Sequence, residues 1–564
     1  MKWYNADSKG GLFLHWGMGT GLLPGNLPYK TVEEFEAATA ISNWSAQHMV
    51  DAAVKLNCKY IIWATLHGEH GLVRTWKSNI PGTPVTKRDY LGELVNAAAK
   101  ENIKVIVYVP GDIPMLKPFT KAFVDSAAYA KYKNVKVDIK NSVEDWVLYF
   151  AKDVIMELMD RYPAVAGVWT DGWNHPKVDT VVFDAIHKKR NDFLIFRNEY
   201  ANKPTYEDQD VMGIEPFAKV LNPPYDKASG MYVEAGNGIE ASYLLGSEWW
   251  YTGDNNAANA KWAIKMTASS LGGNGLPCFA IGPTISGEAV PKVKAVVDSI
   301  KQFFDYASTA TNNVWGGGYK NGGFRSGTLN NSAYMATTLL KDGNTHFIHV
   351  LNKPNTNYLV IPMLGYKIKN VSLLATGKTL PYRIKGNNLF VENNNWSNYE
   401  RSGVEIIQIN TEGKPGLVTK NNWVATTNSE DATHPVSFAI DDSQDTWYAS
   451  NAGAAMPVEL TINLSKRNSI AGININQYEA RALTEAYYHQ QYQGTRAKDY
   501  EVYSSRNGKK WALSKKGTFL NERGVKDIQF DKKQRRVKFI KLKILNNYKG
   551  DGVVQISNIE MFEN

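Results

Sequence analysis

The sequence predicts a multidomain chain: a (β/α)8-type barrel over residues 1–310, a small β-sandwich over 311–415, and a second β-sandwich over 420–564. Three observations predict it. At 564 residues the chain is too long for one hydrophobic core. Up to about residue 310, short β-branched or aromatic runs alternate with longer stretches whose apolar residues recur three and four apart, the pattern of parallel βα units. Beyond that point the helical period disappears, and strand-like runs separated by Asn/Gly turns take over.

In chain order, the first block offers strands at 11–17, 59–65, 104–110, 165–172, 192–197, 244–251 and 276–282. Helical patterns such as 45–56, 90–102 and 143–161 lie between them. Seven strands are visible and an eighth is weak, which fits a barrel whose chemistry gathers at the C-terminal strand ends. The second block reads as strands at 334–340, 345–351, 358–361, 371–374, 388–391 and 403–409. Thr-Glu-Gly-Lys-Pro-Gly at 411–416 is a linker by composition. The third block, from about 421 onward, is again all β.

Composition narrows the function. Hydrophobic residues are 43% and charged residues 21%, the balance of an ordinary globular protein. The net charge of +9 is spread along the sequence, and its largest cluster, around Lys532, Lys533, Arg535, Arg536 and Lys538, alternates with apolar residues as on a solvated strand face. No nucleic-acid partner is expected. Sixteen Trp and thirty Tyr fill cores, and they also supply flat rings suited to sugar faces. Cys58 and Cys278 sit in apolar runs and read as buried free thiols. No run of eighteen apolar residues occurs, so no membrane span is expected. The first motif begins almost at once, the expectation for a secreted or periplasmic protein whose signal peptide has been removed.

Polar residues recur at the predicted strand ends. His15 and Trp16 close the first strand, and His67, Glu69 and His70 follow the second. Tyr108 ends the third, Asp171 the fourth between Trp169 and Trp173, Arg197 the fifth, and Glu248-Trp249-Trp250-Tyr251 the sixth. One such residue is a cap or a satisfied core group; six such ends converge on one mouth. His67 and His70 around Glu69 lack the i,i+4 spacing of a helical metal site. Paired carboxylates suffice for glycoside hydrolysis, and in retaining enzymes they stand about 5 Å apart.

These residues resemble the family 29 α-L-fucosidases. Phe13-Leu14-His15-Trp16-Gly17, Lys59-Tyr60-Ile61-Ile62, Lys87-Arg88-Asp89-Tyr90-Leu91-Gly92, Val168-Trp169-Thr170-Asp171-Gly172 and Ser247-Glu248-Trp249-Trp250-Tyr251 carry the likeness. So does Gly272-Gly273-Asn274-Gly275 with Ile281-Gly282-Pro283. The resemblance implies that Asp171 is the nucleophile and that His15, Trp16, His67, Glu69, His70, Tyr108, Trp169, Trp173, Arg197 and Trp250 bind substrate. The acid/base is expected after the fifth strand, at Glu207 in Thr205-Tyr206-Glu207, with Glu215 as rival and Glu199 and Glu234 behind them. Leu66-His67-Gly68-Glu69-His70-Gly71-Leu72 departs from the family's His-His pattern, which opens α-L-galactosides as an alternative substrate.

The third block resembles discoidin-like (coagulation factor 5/8 type C) modules, including family 32 carbohydrate-binding modules of jelly-roll form. Ala439-Ile440-Asp441-Asp442-Ser443-Gln444-Asp445-Thr446-Trp447 and Asn507-Gly508-Lys509-Lys510-Trp511 carry it. It implies a structural Ca²⁺ on Asp441, Thr446, Glu560 and the carbonyls of Phe438 and Ser443, with Tyr478 and Arg481 as loose glycan-contact candidates. The expectation is therefore an exo-acting retaining α-L-fucosidase acting on fucosylated glycans, with no cofactor for catalysis. A protein that binds glycans without turning them over is the reading from another class.

Overall fold

The structure, a computed structural model, describes residues 3–4, 10–21, 28–64, 66–68, 72–111, 118–173, 175–198, 210–214, 238–272, 275–316, 327–328, 334–362, 366–385, 388–412, 418, 420, 422–441, 446–477, 496–521 and 526–563. The chain divides into two compact units, one holding a parallel sheet and the other, mainly Ala307–Asn564, antiparallel sheets.

The first unit is a closed eight-stranded barrel. Its strands are β1 (Gly11–Leu14), β2 (Tyr60–Trp63), β3 (Lys104–Pro110), β4 (Val165–Asp171), β5 (Leu194–Asn198), β6 (Val211–Ile214), β7 (Gly238–Leu244) and β8 (Leu276–Ile281). Each pairs in parallel with the next, and β1 closes on β8 with Gly11 opposite Cys278. The weak eighth strand is β6. The strand expected at 244–251 lies earlier, as β7, and its aromatic end is an irregular segment.

Helices α1 (Val32–Ile41), α2 (Ala46–Lys55) and α3 (Tyr90–Lys100) start where a side chain can take an orphan amide. Thr31, Ser45 and Asp89 accept from the amides of Glu34, Gln47 and Gly92. Later, a π-helical turn, Trp146–Ala151, precedes the helix Lys152–Arg161. Inside the barrel, alternate strand residues form one core: Phe13, Ile62, Ile106, Tyr108, Trp169, Leu194, Phe196, Cys278 and Ala280 among them. Cys58 and Cys278 are buried free thiols, and burial pushes the Cys58 thiol well up.

The loop between β2 and α3 is built around a buried guanidinium. Arg74 donates to Thr83 Oγ1 (3.0 Å), Ser78 Oγ (2.7 Å) and the carbonyls of Ile80 (2.6 Å) and Thr83 (2.8 Å). Burial holds its pKa down at about 10.

Among the described residues, the second unit contains three antiparallel sheets. In the first, Thr345–Asn352 lies between Tyr334–Leu340 and Glu405–Glu412. A three-stranded sheet joins Tyr358–Pro362, Asn388–Glu392 and Tyr382–Lys385. A short helix, Ser397–Ser402, was not expected from the sequence. The paired strands Thr345–Asn352 and Glu405–Glu412 carry the buried His346, His349 and Glu405. Burial lowers the two imidazoles to about 3 and about 4 and raises Glu405 to about 7. The third sheet has seven strands around a separate core, with the long strands Val458–Gln477 and Lys526–Ile544 side by side.

Candidate active site

Strand alternation decides which residues meet at the barrel mouth. One step beyond the inward-facing Phe13, Trp169 and Phe196, the same face carries His15, Asp171 and Asn198. Asp171 is held at both oxygens: the Tyr108 hydroxyl donates to Oδ2 at 2.6 Å, and Asn198 Nδ2 donates to Oδ1 at 3.0 Å. These are hydrogen bonds to an acceptor that carries charge when ionised, the stronger kind.

The backbone around Asp171 is fixed as well. Its carbonyl accepts from Gly111 N at 2.7 Å, and Gly172 leaves the strand at φ +67°, where a side chain would be strained. The end of β3 is clamped by two indoles, Trp173 donating to the Val109 carbonyl (3.0 Å) and Trp146, from the π turn, to the Pro110 carbonyl (2.6 Å). Arg197 lies on the outward face of β5 and donates twice to the Trp173 carbonyl, at 2.7 and 3.2 Å. It therefore steadies the turn behind Asp171.

Rings line the rest of the mouth. His67 stacks on Tyr108 (5.2 Å between centroids, 20°), which in turn stacks on Trp169 (5.6 Å, 17°). His15 lies 5.8 Å from His67 and 5.1 Å from Trp249, and Trp250 meets His67 edge-on at 5.7 Å. The aromatic segment sits close against the end of β8 because residue 282 is glycine: a Cβ there would lie 2.3 Å from the Tyr251 nitrogen. A half-buried carboxylate, two imidazoles and a wall of rings suit an anionic nucleophile facing a ligand with apolar faces and hydroxyl edges.

The structure brings together His15, His67, Tyr108, Trp169, Asp171 and Trp250 among the predicted site residues. It places three elsewhere, each for the same reason: their strand or turn position points them out of the barrel. Trp16 is fully buried among Phe35, Trp44, Trp63 and Tyr90, with its indole N–H given to the Thr284 carbonyl. Trp173 stacks on Phe183, and Arg197 is spent on Trp173. Glu69, His70, Glu199, Glu207, Glu215 and Glu234 lie outside the described residues. Sequence reasoning missed Asn198 and, within the flagged end Glu248-Trp249-Trp250-Tyr251, singled out Trp250 and not Trp249. Counting residues by twos from Leu194 through Phe196 would have found Asn198, whereas Trp249 stands in an irregular segment that leaves no such signal.

Among the described residues, no group of three or more His, Cys, Asp and Glu is placed to hold a metal ion. In the C-terminal sheet domain, the Thr446 hydroxyl donates to Asp441 Oδ2 at 2.6 Å, so two of the expected calcium donors are neighbours. Phe438 lies in the 3₁₀ turn Val436–Ala439 and Glu560 on Gln555–Phe562, while Ser443, Tyr478 and Arg481 lie outside the described residues. No described helix is long and apolar enough to cross a membrane.

Two family models match the chain, Alpha-L-fucosidase over residues 1–308 and F5/8 type C domain over residues 424–559. No curated protein matches. Among solved structures, α-L-fucosidase isoenzyme 1 from Paenibacillus thiaminolyticus is 18% identical, covering 73% of this chain and 98% of its own, at a TM-score of 0.54. A Thermotoga maritima α-fucosidase with a mechanism-based inhibitor is 17% identical, with coverages of 72% and 96% and a TM-score of 0.53. A Bacteroides thetaiotaomicron GH29 α-L-fucosidase, trapped as a covalent intermediate with 2-fluoro-fucosyl fluoride, is 19% identical, with coverages of 72% and 95% and a TM-score of 0.51. At these identities the likeness is one of fold.

Proposed function

The chain belongs to the α-L-fucosidase family of glycoside hydrolases, and we propose from that premise that it is an exo-acting retaining α-L-fucosidase with Asp171 as nucleophile. One observation carries the reading: Asp171 stands at the barrel mouth with one oxygen held by Tyr108 and the other by Asn198. Those donors fix the direction of both carboxylate oxygens. In the reaction, an Asp171 oxygen attacks the anomeric carbon as the glycosidic C–O bond breaks, and a general acid gives its proton to the departing oxygen. The resulting glycosyl ester is hydrolysed by water that the same residue, now a base, deprotonates. Glu207 is assigned this acid/base role, with Glu215 as the alternative. The covalent intermediate trapped in the Bacteroides relative supports this route.

His15, His67 and the rings beside them bind the sugar, and the C-terminal domain binds the glycan that bears it. Asp441, Thr446, Glu560 and the carbonyls of Phe438 and Ser443 would hold Ca²⁺ there. The adjacency of Asp441 and Thr446 and their hard oxygen donors fit that ion, whose part is to stiffen the loop.

The test is release of nitrophenol from an aryl α-L-fucoside. Asp171→Asn should abolish it, and full activity in that variant would remove the nucleophile assignment. Azide should rescue Glu207→Ala on the activated substrate. If Glu207→Ala behaves as wild type, Glu215 takes the role. The corresponding α-L-galactoside, run in parallel, measures how far the altered 66–72 loop has shifted the sugar preference.

A further inference from the structure

The C-terminal domain gathers the chain's net charge at one corner. The register between Val458–Gln477 and Lys526–Ile544 slips three times: between Asn463 (opposite Phe539) and Asn468 (opposite Val537), between Asn468 and Ile470 (opposite Gln534), and between Ile470 and Gly472 (opposite Gln529). Residues 464–467 bulge from one strand and 530–533 from the other. On and between these bulges, Lys466, Arg467, Lys532, Lys533, Arg535 and Arg536 are all exposed. A hairpin tip lies against the same corner: Ser505 pairs with Phe539, and a Cβ on Gly508 would lie 3.5 Å from the Phe539 ring. That tip adds exposed Arg506, Lys509 and Lys510.

Across residues 464–470, 504–511 and 529–540 there are ten Lys and Arg against one Asp, a formal +9 that equals the +9 of the whole chain, since the remaining 54 basic and 54 acidic residues cancel. The single acid, Asp531, is engaged by Lys515. Like charges this dense repel within a Debye length of about 8 Å. Ser465 and Arg536 also hold left-handed backbone, at φ +59° and +58°, a conformation costing about 1–2 kcal/mol for a residue with a side chain.

We propose that this corner docks a polyanionic polysaccharide, one carrying sulfate or carboxylate groups along its length. The choice of carbohydrate rests on the glycan-binding reading of this domain. Two observations favour it over other polyanions. The two half-buried rings of these segments, Phe539 and Trp511, are each covered by an ammonium, Lys538 at 5.8 Å and Lys541 at 5.0 Å from the centroid, which leaves less open face for bases to stack on. None of the exposed large hydrophobic residues falls within the three segments, so the corner has no wedge for a lipid surface.

The experiment measures binding of the full chain to dextran sulfate, neutral dextran, duplex DNA and vesicles of phosphatidylserine and phosphatidylcholine. Wild type should bind dextran sulfate with an affinity that falls steeply as salt is raised, and should ignore neutral dextran. The variant Lys466→Gln/Arg467→Gln/Lys533→Gln/Arg536→Asn should bind dextran sulfate at least about tenfold more weakly, with unchanged aryl-fucoside turnover. The variant Arg506→Gln/Lys509→Gln/Lys510→Gln should also weaken it, leaving the bulges untouched. Undiminished affinity in both variants, or tighter binding of DNA or vesicles than of dextran sulfate at equal charge concentration, would overturn the proposal. Loss of aryl-fucoside turnover in wild type with dextran sulfate binding intact would instead strike the fucosidase reading alone.

Discussion

Removing one oxygen atom from the site isolates the grip on Asp171. Tyr108→Phe deletes the hydroxyl that donates to Oδ2 at 2.6 Å and leaves the ring, so its stacks on His67 and Trp169 persist. A hydrogen bond to a charged group contributes about 1.5–3 kcal/mol. If the bond orients and stabilises the attacking carboxylate through the transition state, its loss lowers kcat/KM by about 10- to 150-fold, at 1.36 kcal/mol per decade. The assay is initial-rate hydrolysis of an aryl α-L-fucoside, with thermal melting as the control for folding. Because the ring is retained, melting should move little. A kcat/KM within about twofold of wild type would refute the claim that Tyr108 holds the nucleophile, and a rate loss matched by a collapsed melting temperature would reassign the hydroxyl to folding.

Three other outcomes follow from the geometry. Asn198→Ala should lower kcat/KM by about 10-fold or more, and combined with Tyr108→Phe the loss should depart from additivity, since both donors serve one carboxylate; additive losses would show that they act separately. Arg74→Met strands two carbonyls and two hydroxyls in the interior and should destabilise the barrel by about 3 kcal/mol or more, read as a lowered melting midpoint. Glu405 is held at about 7 by burial, against the bonds it accepts from Ile406 N and Asn398, so the folded chain keeps this proton more tightly than the unfolded chain, whose value is 4.5. The cost is absent below about pH 4.5 and complete above about pH 7, on the order of 3 kcal/mol; Glu405→Gln should raise the melting temperature at pH 8 and leave it unchanged near pH 4.5.

Much of the barrel was legible because its buried strands announce themselves. Lys104–Pro110 and Val165–Asp171 are apolar runs bounded by turns, and both occur at the expected positions. β6 has only four residues, Val211–Ile214, too few for a periodic signal. β7 is rich in small and polar residues, Gly238, Ala241 and Ser242 among them, while the strand-like Trp249-Trp250-Tyr251 beside it packs as irregular chain against Gly282. Side-chain propensity favoured the wrong segment there, and tertiary packing decided the outcome.

For the site, residue type was readable and direction was not. Asp171, Tyr108, His15 and His67 meet as their strand ends imply. Arg197 drew attention through its charge, yet it is Asn198 that reaches Asp171. Trp16 likewise looked like a ring for sugar and is a ring for the layer between strands and helices. Charge density along the C-terminal strands was also visible in the sequence, but its concentration required the two bulges that fold it onto one corner.

The alternation that separates Arg197 from Asn198 makes β5 behave like a reading frame. Both side chains are already present at the strand end, one engaged behind Asp171 and one in front of it. Gaining a single codon between Leu194 and Phe196 would shift the phase by one and carry Arg197 into the place of Asn198. A guanidinium would then confront the nucleophile, and Phe196 would take its place under Trp173. Point substitutions at this rim can adjust the grip on Asp171 by degrees, whereas such an insertion in β5 swaps a neutral donor for a permanent cation in one step. Variation at the site should therefore accumulate as substitutions within the strand and as insertions only beyond Asn198.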